Sequence, residues 1–248
     1  MPQSIDVLLS RHTCLRATFD KGPDADISLG NGPATVHPDV VRHDPDAGRT
    51  GGAMVFAARD HGWAEDELTY SAHGNFPYSE SSFEGTVSLW LRGDPDADLN
   101  DEYPVDPFHI SRHAADGSFY LDLTRPNDSR YGSPRKLRFG VYGDSPAQDM
   151  FVGGQLLVVG ELGWNDGKWH HVVATWQNTN SGRDDGRAAV YIDGVCRATM
   201  EGYRHDLTWD IDTLTIGLGQ RYVGAIDELL ILDVSLDDRQ VAQLFERS

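Results

Sequence analysis

The chain has 248 residues, a length that fits one large β-sandwich or two small domains. Its net charge is −18 at pH 7, from 39 acidic and 21 basic residues, and so negative a surface repels the phosphates of nucleic acids. No run of about 18 apolar residues occurs, so we expect neither nucleic-acid binding nor membrane insertion.

Short runs of alternating apolar and polar residues follow one another along the chain, a pattern typical of a sandwich or barrel of β-strands. Polar loops separate these runs, and a long one is predicted at residues 20–50. Asp193-Gly194 follows a predicted strand and favours a hairpin turn. The predicted strands are residues 15–19, 53–57, 86–92, 108–111, 118–123, 136–142, 155–159, 170–176, 188–192, 213–217 and 225–232.

One helix is predicted, at the C-terminal end of the chain. Ser235 is a candidate N-cap, and Asp238 three residues later completes an approximate capping box. Val241, Leu244 and Phe245 then lie on one face of the helix. We therefore expect this helix to dock on the sandwich through that face.

The cysteines, the aspartates and the first residues of the chain bear on disulfides, metal binding and location. Cys14 and Cys196 permit one disulfide but do not require it. Thirty of the 39 acidic residues are aspartates, which favour turns and are good ligands for hard cations such as calcium. The first residues lack a basic segment followed by a long apolar one, so we see no signal peptide.

Several segments resemble the LamG-like, or concanavalin A-like, family. Residues 167–176, GKWHHVVATW, resemble its G-x-W-H-H-V-A-x-T signature, and residues 189–194, AVYIDG, resemble the hairpin that follows. Residues 224–231, GAIDELLI, are similar to its closing strand, and residues 17–20, ATFD, are similar to its first strand. The matches run in the family's order from about residue 15 to 245.

The resemblance implies an all-β jelly-roll sandwich of two antiparallel sheets, formed by residues 1–248 as a single domain, with a short C-terminal helix. It implies a non-catalytic carbohydrate-binding or adhesion-type lectin-like module that binds a glycan or polysaccharide. It also implies an extracytoplasmic or secreted location. The fold itself hosts many activities, so the sequence leaves the ligand and the oligomeric state open.

The family often holds a structural calcium where its first and last strands meet. By resemblance, Asp20 and Asp227 would lie near that ion, and Asp26 could add a ligand. Calcium takes six to eight oxygens in all, and loop carbonyls can complete the shell. Asp227 interrupts an apolar strand, so it needs a cation or several hydrogen-bond donors. The alternatives are that backbone amides or an arginine hold Asp227, or that it is exposed at the strand edge.

Alternation along the strands also predicts which side chains point away from the core. Sugars stack on aromatic rings and hydrogen-bond to planar polar groups, so this outward set is a candidate glycan-binding groove. The alternative is that the long loops cover these side chains and that they form a second packed layer, above all Trp90. The predicted outward residues are Trp90, Arg92, His109, Tyr120, Asp122, Arg138 and Tyr142.

Two other functions remain open from the sequence. A polysaccharide lyase would use histidine, tyrosine and arginine side chains of that face, and a retaining glycoside hydrolase would need two carboxyls about 5–5.5 Å apart. The lyase sequence patterns R-x-E-x-R and Y-x-K-x-G-x-Y are absent, and Asp122 has no evident acidic partner. A protein–protein interaction module is the third alternative, which loops closed over the groove would favour.

Overall fold

A computed structural model describes residues 4–57, 68–99, 104–110, 119–141 and 157–247. A 3-10 turn, Ile211–Thr213, precedes the fifteenth strand. The elements in chain order are α1 (Ile5–His12), β1 (Thr13–Ala17), β2 (Ile27–Ser28), β3 (Thr35–Val36), β4 (Val41–Asp44), β5 (Ala53–Phe56), β6 (Leu68–Ser71), β7 (Phe83–Arg92), β8 (Val105–Ile110), β9 (Phe119–Leu123), β10 (Leu137–Val141), β11 (Leu157–Val159), β12 (His170–Thr179), β13 (Gly186–Ile192), β14 (Val195–Tyr203), β15 (Thr215–Gln220), β16 (Gly224–Leu232) and α2 (Asp238–Arg247).

The strands form two antiparallel sheets, as the sequence predicts, and the sheets build a jelly-roll-like sandwich. The first sheet runs β14-β13-β12-β7-β16-β1-β2, with β5 paired to β16 and β4 paired to β5. The second sheet runs β11-β10-β9-β8-β15-β6-β3. Neighbouring strands are often far apart in sequence, so each sheet is assembled from both halves of the chain.

The core between the sheets is rich in aromatic rings. Trp176 stacks on Phe76 with ring centroids 5.4 Å apart, and the edge of Phe119 meets Trp176 at 4.6 Å. Branched residues of β7 and β16 complete the layer, including the fully buried Val87 and Ile231. Rings at these distances add to the free energy of burial through their edge-to-face and offset geometry.

A second apolar cluster lies on the other side of the first sheet. There the two helices cover the sheet's outer face, and Leu8 of α1 joins Val241 and Leu244 of α2. Leu230 and Leu232 of β16 point into this cluster from the sheet. The docking face predicted for the C-terminal helix is therefore confirmed for its two buried residues.

Several elements are absent from the sequence prediction. It includes neither α1, β6 nor the nine-residue β14, and its long loop at 20–50 contains β2, β3 and β4. Both cysteines are free thiols, and burial, followed by the nearby charge of Asp233, raises the pKa of Cys14 to about 12. Among the described residues, no helix is long and apolar enough to span a bilayer.

The predicted hairpin turn at Asp193-Gly194 is confirmed. Both residues have positive φ, 51° and 77°, as a two-residue type I′ turn between β13 and β14 requires. The Asp193 carboxylate accepts hydrogen bonds from the backbone amide of His171 at 2.9 Å and from the ring of His170 at 2.9 Å. The turn is thereby tied to the start of β12.

The N-cap of the C-terminal helix differs from the predicted one. The amide of Gln240 donates to the Asp237 carboxylate at 2.8 Å, and the Gln240 side chain accepts from the Asp237 amide at 2.8 Å. This reciprocal pair is a capping box that begins at Asp237, two residues after the predicted Ser235. A Gln at the third position completes it, where the sequence analysis had paired Ser235 with Asp238.

We predict that Asp237→Ala lowers the free energy of unfolding by about 1 kcal/mol, because it removes the cap acceptor of α2. Ser235→Ala is the matched control and should change it by less than about 0.5 kcal/mol. Urea denaturation followed by tryptophan fluorescence measures both values. An equal loss of unfolding free energy in the two variants would contradict the assignment of Asp237 as the N-cap.

Candidate functional site

The candidate binding face is the outer side of the second sheet. His109 of β8, Tyr120 of β9 and the pair Asp122 and Arg138 of β9 and β10 all project there. Their strand neighbours, such as Phe108 and Phe119, belong to the core between the sheets. Because successive side chains of a strand alternate between faces, the four predicted residues share the opposite face.

Strand register extends this set into a row across the sheet. Thr35 of β3 is paired with Thr69 of β6, Thr69 with Gly217 of β15, Gly217 with His109, and His109 with Tyr120. We call these five residues the polar row. Thr35 is exposed, Thr69 is half-buried, and the row becomes buried toward His109 and Tyr120.

The glycine of the polar row has a steric role. A Cβ on Gly217 would come within 2.4 Å of Cε1 and Nε2 of His109. The absence of a side chain therefore lets the imidazole lie across the neighbouring strand. Thr35 and Thr69 are absent from the predicted face because β3 and β6 were not predicted. Gly217 lies on a predicted strand but carries no side chain that would mark it as a member of the face.

The predicted side chains point outward but are not open to solvent. Tyr120 is 1% exposed and Arg138 is 4% exposed, and His109 and Asp122 are equally buried. This burial corresponds to the alternative in which they form a second packed layer. Tyr142, the remaining member predicted on this face, lies outside the described residues.

Asp122 and Arg138 form a buried ion pair. Nε of Arg138 donates to Oδ1 of Asp122 at 2.7 Å, and a terminal guanidinium nitrogen donates to Oδ2. Burial by itself lowers the pKa of Arg138, but the Asp122 charge outweighs it and the net direction is upward. The two parallel bonds hold the guanidinium in a fixed plane beside the ring of Tyr131, 5.9 Å away.

Trp90 does not belong to this face, which corrects the predicted grouping. It lies on β7 in the first sheet, on the opposite side of the sandwich. The Arg49 guanidinium lies 4.1 Å from its ring centroid, and the rings of His171 and Phe245 stack on it at 4.9 and 5.7 Å. Trp90 is 3% exposed, so it packs beneath α2 and is not a platform for a sugar.

Arg92 likewise lies on the first sheet. Its guanidinium is 4.8 Å from the ring centroid of Trp169. Alternation assigns a residue to a face of its own sheet, but it does not assign the strand to one of two sheets. The predicted set therefore divides between the two sides of the sandwich.

The candidate metal ligands lie where the first and last strands meet. The carboxylate of Asp227 is completely buried and accepts from the amides of Arg49 and Glu228, both at 2.8 Å. Asp20 accepts from the amide of Gly52 at 3.3 Å. A Cβ on Gly51 would lie 2.0 Å from the Asp20 carboxylate, so the loop between β4 and β5 closes tightly around both acids.

Electrostatics disfavour an isolated negative charge at Asp227. Its pKa is raised to about 7: burial is the largest cause, the charges of Glu228 and Asp20 act in the same direction, and the two backbone amides oppose it. Backbone amides therefore hold this carboxylate, which was one of the alternatives to a cation in the sequence analysis. They do not compensate fully for its removal from water.

Asp26 has different partners. One of its carboxylate oxygens accepts from the amide of Thr18 at 2.8 Å and from the Thr18 hydroxyl at 2.7 Å. Burial raises the pKa of Asp26, these hydrogen bonds lower it, and the net direction is downward. Across the described part of the chain, no group of three or more His, Cys, Asp or Glu side chains is placed to hold a metal ion.

Comparison with solved structures finds the same fold in sugar-bound proteins. Domain 4 of AbnA, a GH43 extracellular arabinanase from Geobacillus stearothermophilus in complex with arabinotriose, is 20% identical. The match covers 94% of this chain and 97% of that domain, with a TM-score of 0.57.

The binding domain of botulinum neurotoxin serotype D is 13% identical, with a TM-score of 0.66 over 98% of this chain and 53% of that one. The ligand binding domain of the same serotype in complex with N-acetylneuraminic acid is also 13% identical, with a TM-score of 0.58 over 99% and 53%. The present chain thus spans about half the length of the neurotoxin domains. These identities establish a shared fold.

A comparison with curated protein sequences finds no significant match. The family model for the concanavalin A-like lectin/glucanases superfamily, Laminin_G_3, matches residues 64–242, which is most of the chain. The two-sheet sandwich, the hairpin at Asp193-Gly194 and this match agree, and the chain belongs to the concanavalin A-like lectin/glucanase superfamily.

Proposed function

We propose that this protein is a non-catalytic, lectin-like carbohydrate-binding module that binds a neutral glycan on the outer face of the second sheet. The observation that carries the proposal is the polar row, which runs from exposed Thr35 through Thr69 to the buried imidazole of His109. Thr35 and Thr69 are paired across neighbouring strands, so their hydroxyls offer both donors and acceptors to successive sugar hydroxyls.

The buried part of the face has a supporting role in this proposal. The Asp122–Arg138 pair and the Tyr120 ring form a rigid layer beside the row, and the accessible contacts come from the two threonines. A charge-compensated arginine has no free positive charge for a uronate, and the net charge of −18 repels polyanions. Both features favour a neutral glycan.

The structural neighbours support carbohydrate as the ligand class. Arabinotriose is bound in the complex of the arabinanase domain, and N-acetylneuraminic acid is bound in that of the neurotoxin domain. The extracellular arabinanase and the family resemblance also support an extracytoplasmic location. Fractionation of producing cells tests that location, and recovery of the protein in the cytoplasm alone would contradict it.

A structural calcium between Asp20 and Asp227 is part of the same proposal. The two side chains are the hard oxygen donors that calcium prefers, and one of them is a buried carboxylate that its amide partners leave undercompensated. A bound cation would fix the β4–β5 loop against β16, with no role in chemistry. The rival is that the amides alone hold both acids.

The binding proposal is tested by incubating the full chain with insoluble arabinan, xylan, β-glucan and pectin. We expect retention on a neutral polymer without new reducing ends or unsaturated products. Release of product would replace the proposal with a polysaccharide lyase or glycoside hydrolase. Absence of retention on every polymer would favour an interaction module instead.

We predict that Thr69→Val weakens binding to the retained polymer about threefold to tenfold, because it removes one hydroxyl and keeps the side-chain shape. Thr199→Val, at an exposed position on β14 of the other sheet, is the matched control. Affinity electrophoresis compares the variants, and thermal melting confirms that both fold. Equal affinity of wild type and Thr69→Val for the polymer would show that the polar row does not bind the glycan.

We predict that Arg138→Met lowers the free energy of unfolding by about 3–5 kcal/mol, since it leaves the buried Asp122 carboxylate without its partner. Asp122→Asn combined with Arg138→Met should recover part of this loss. Urea denaturation of the two variants and wild type measures the difference. A single-variant loss below about 1 kcal/mol would show that the pair is not a buried structural support.

We predict that EDTA lowers the melting temperature and that calcium restores it, by about 2–4 °C for each kcal/mol of binding free energy. Asp227→Asn should abolish this response because it removes the central carboxylate. Asp26→Asn serves as the control, since Asp26 is bonded to Thr18 and should leave the calcium response in place. An unchanged melting temperature after thorough chelation would contradict the calcium site.

A further inference from the structure

A partly open cavity lies on the outer face of the first sheet, on the side of the sandwich opposite the polar row. It encloses about 350 Å³, near the lower end of the about 300–1,000 Å³ typical of small-molecule sites. Arg16, Ser88 and Glu228 line it from β1, β7 and β16, and Ser10 and Leu244 line it from α1 and α2. No feature of the proposed glycan face contributes to it.

The walls of this cavity are held in place. Leu8 of α1 and Leu244 of α2 share one apolar cluster with the sheet, and Arg247 of α2 forms an ion pair with Asp6 of α1 at 2.7 Å. The cavity therefore lies between the sheet and two helices that pack on it. A preformed cavity needs little rearrangement to accept a ligand.

The charges that line the cavity compensate one another. Arg16 is paired with Glu228 at 3.2 Å, and Arg247 is paired with Asp6. His171 also lines the cavity, and burial lowers its pKa to about 4, so it adds no charge at neutral pH. A charged ligand would leave one of these groups uncompensated, whereas a neutral polar ligand would not.

We propose that this cavity binds a free neutral sugar of monosaccharide or disaccharide size. A sugar hydroxyl both donates and accepts, so it can donate to the Glu228 carboxylate and accept from the Arg16 guanidinium at the same time. Leu9, Leu230 and Leu244 offer an aliphatic wall for the C–H face of the ring. The rings of Trp90 and His171 are already stacked on each other, so recognition uses ion pairs and aliphatic contacts.

The test is a calorimetric or NMR titration of the full chain with glucose, galactose, arabinose, xylose and their disaccharides. Glucuronate and glycine are the charged and zwitterionic comparisons. Ser10→Trp places an indole in the cavity from an exposed position of α1, and Val7→Trp adds the same group one turn earlier, outside the cavity. We expect saturable binding of a neutral sugar to wild type and Val7→Trp and its loss in Ser10→Trp.

A second pair of variants checks the chemistry. Arg16→Gln should weaken binding about tenfold because it removes a charged donor, and Arg183→Gln, in a distant exposed ion pair, should leave it unchanged. Thr69→Val should also leave it unchanged, which separates this site from the proposed glycan face. Undiminished binding to Ser10→Trp, binding of charged ligands alone, or no binding of any neutral sugar would each overturn the proposal.

Discussion

Strand β16 is buried on both of its faces, and the architecture depends on covering it. Ile226, Leu229 and Ile231 belong to the core between the sheets, whereas Leu230 and Leu232 belong to the cluster under the helices. A strand with apolar groups on both sides needs a layer above and a layer below. The second sheet provides one layer, and α1 with α2 provides the other.

A bulge in that same strand determines where the acidic side chains of Asp227 and Glu228 point. The register with β7 shifts between Asp227 and Leu230, and Glu228 has a φ of 50°. The extra backbone lets Asp227 turn toward the β4–β5 loop while Glu228 reaches Arg16 on the outer face. One local irregularity thus places one acid for the loop and another for the cavity, as bulges often do in functional regions.

Much of the fold was predictable from the sequence because the longer strands carry a period of two. The strands of β7, β9 and β12 were found within a few residues, and the turn at Asp193-Gly194 was found from its residue types alone. The two-residue strands β2 and β3 carry too few residues for a period. The nine-residue β14 was missed for another reason: it is an edge strand whose side chains are mostly exposed or half-buried. Helix α1 has only eight residues, about two helical turns, so its hydrophobic period is too short to recognise in the sequence.

The candidate site was predictable only in part, for a different reason. Alternation put His109 and Tyr120 on one face correctly, because that property is local to a strand. It could not reveal that Trp90 lies on the other sheet, because strand order is a non-local property. Gly217 could be recognised only once its neighbour His109 was known, since a glycine in a sequence does not say which ring needs its space.

The ion pair between Asp6 and Arg247 has a consequence for the use of this fold in larger assemblies. Nη1 of Arg247 lies 2.7 Å from Oδ1 of Asp6, so α1 and α2 are in contact on one side of the sandwich. When the first and last elements of a domain lie side by side, that domain can be inserted into a loop of another protein with short connectors. Such connections would leave the sandwich side that carries the polar row facing away from the host.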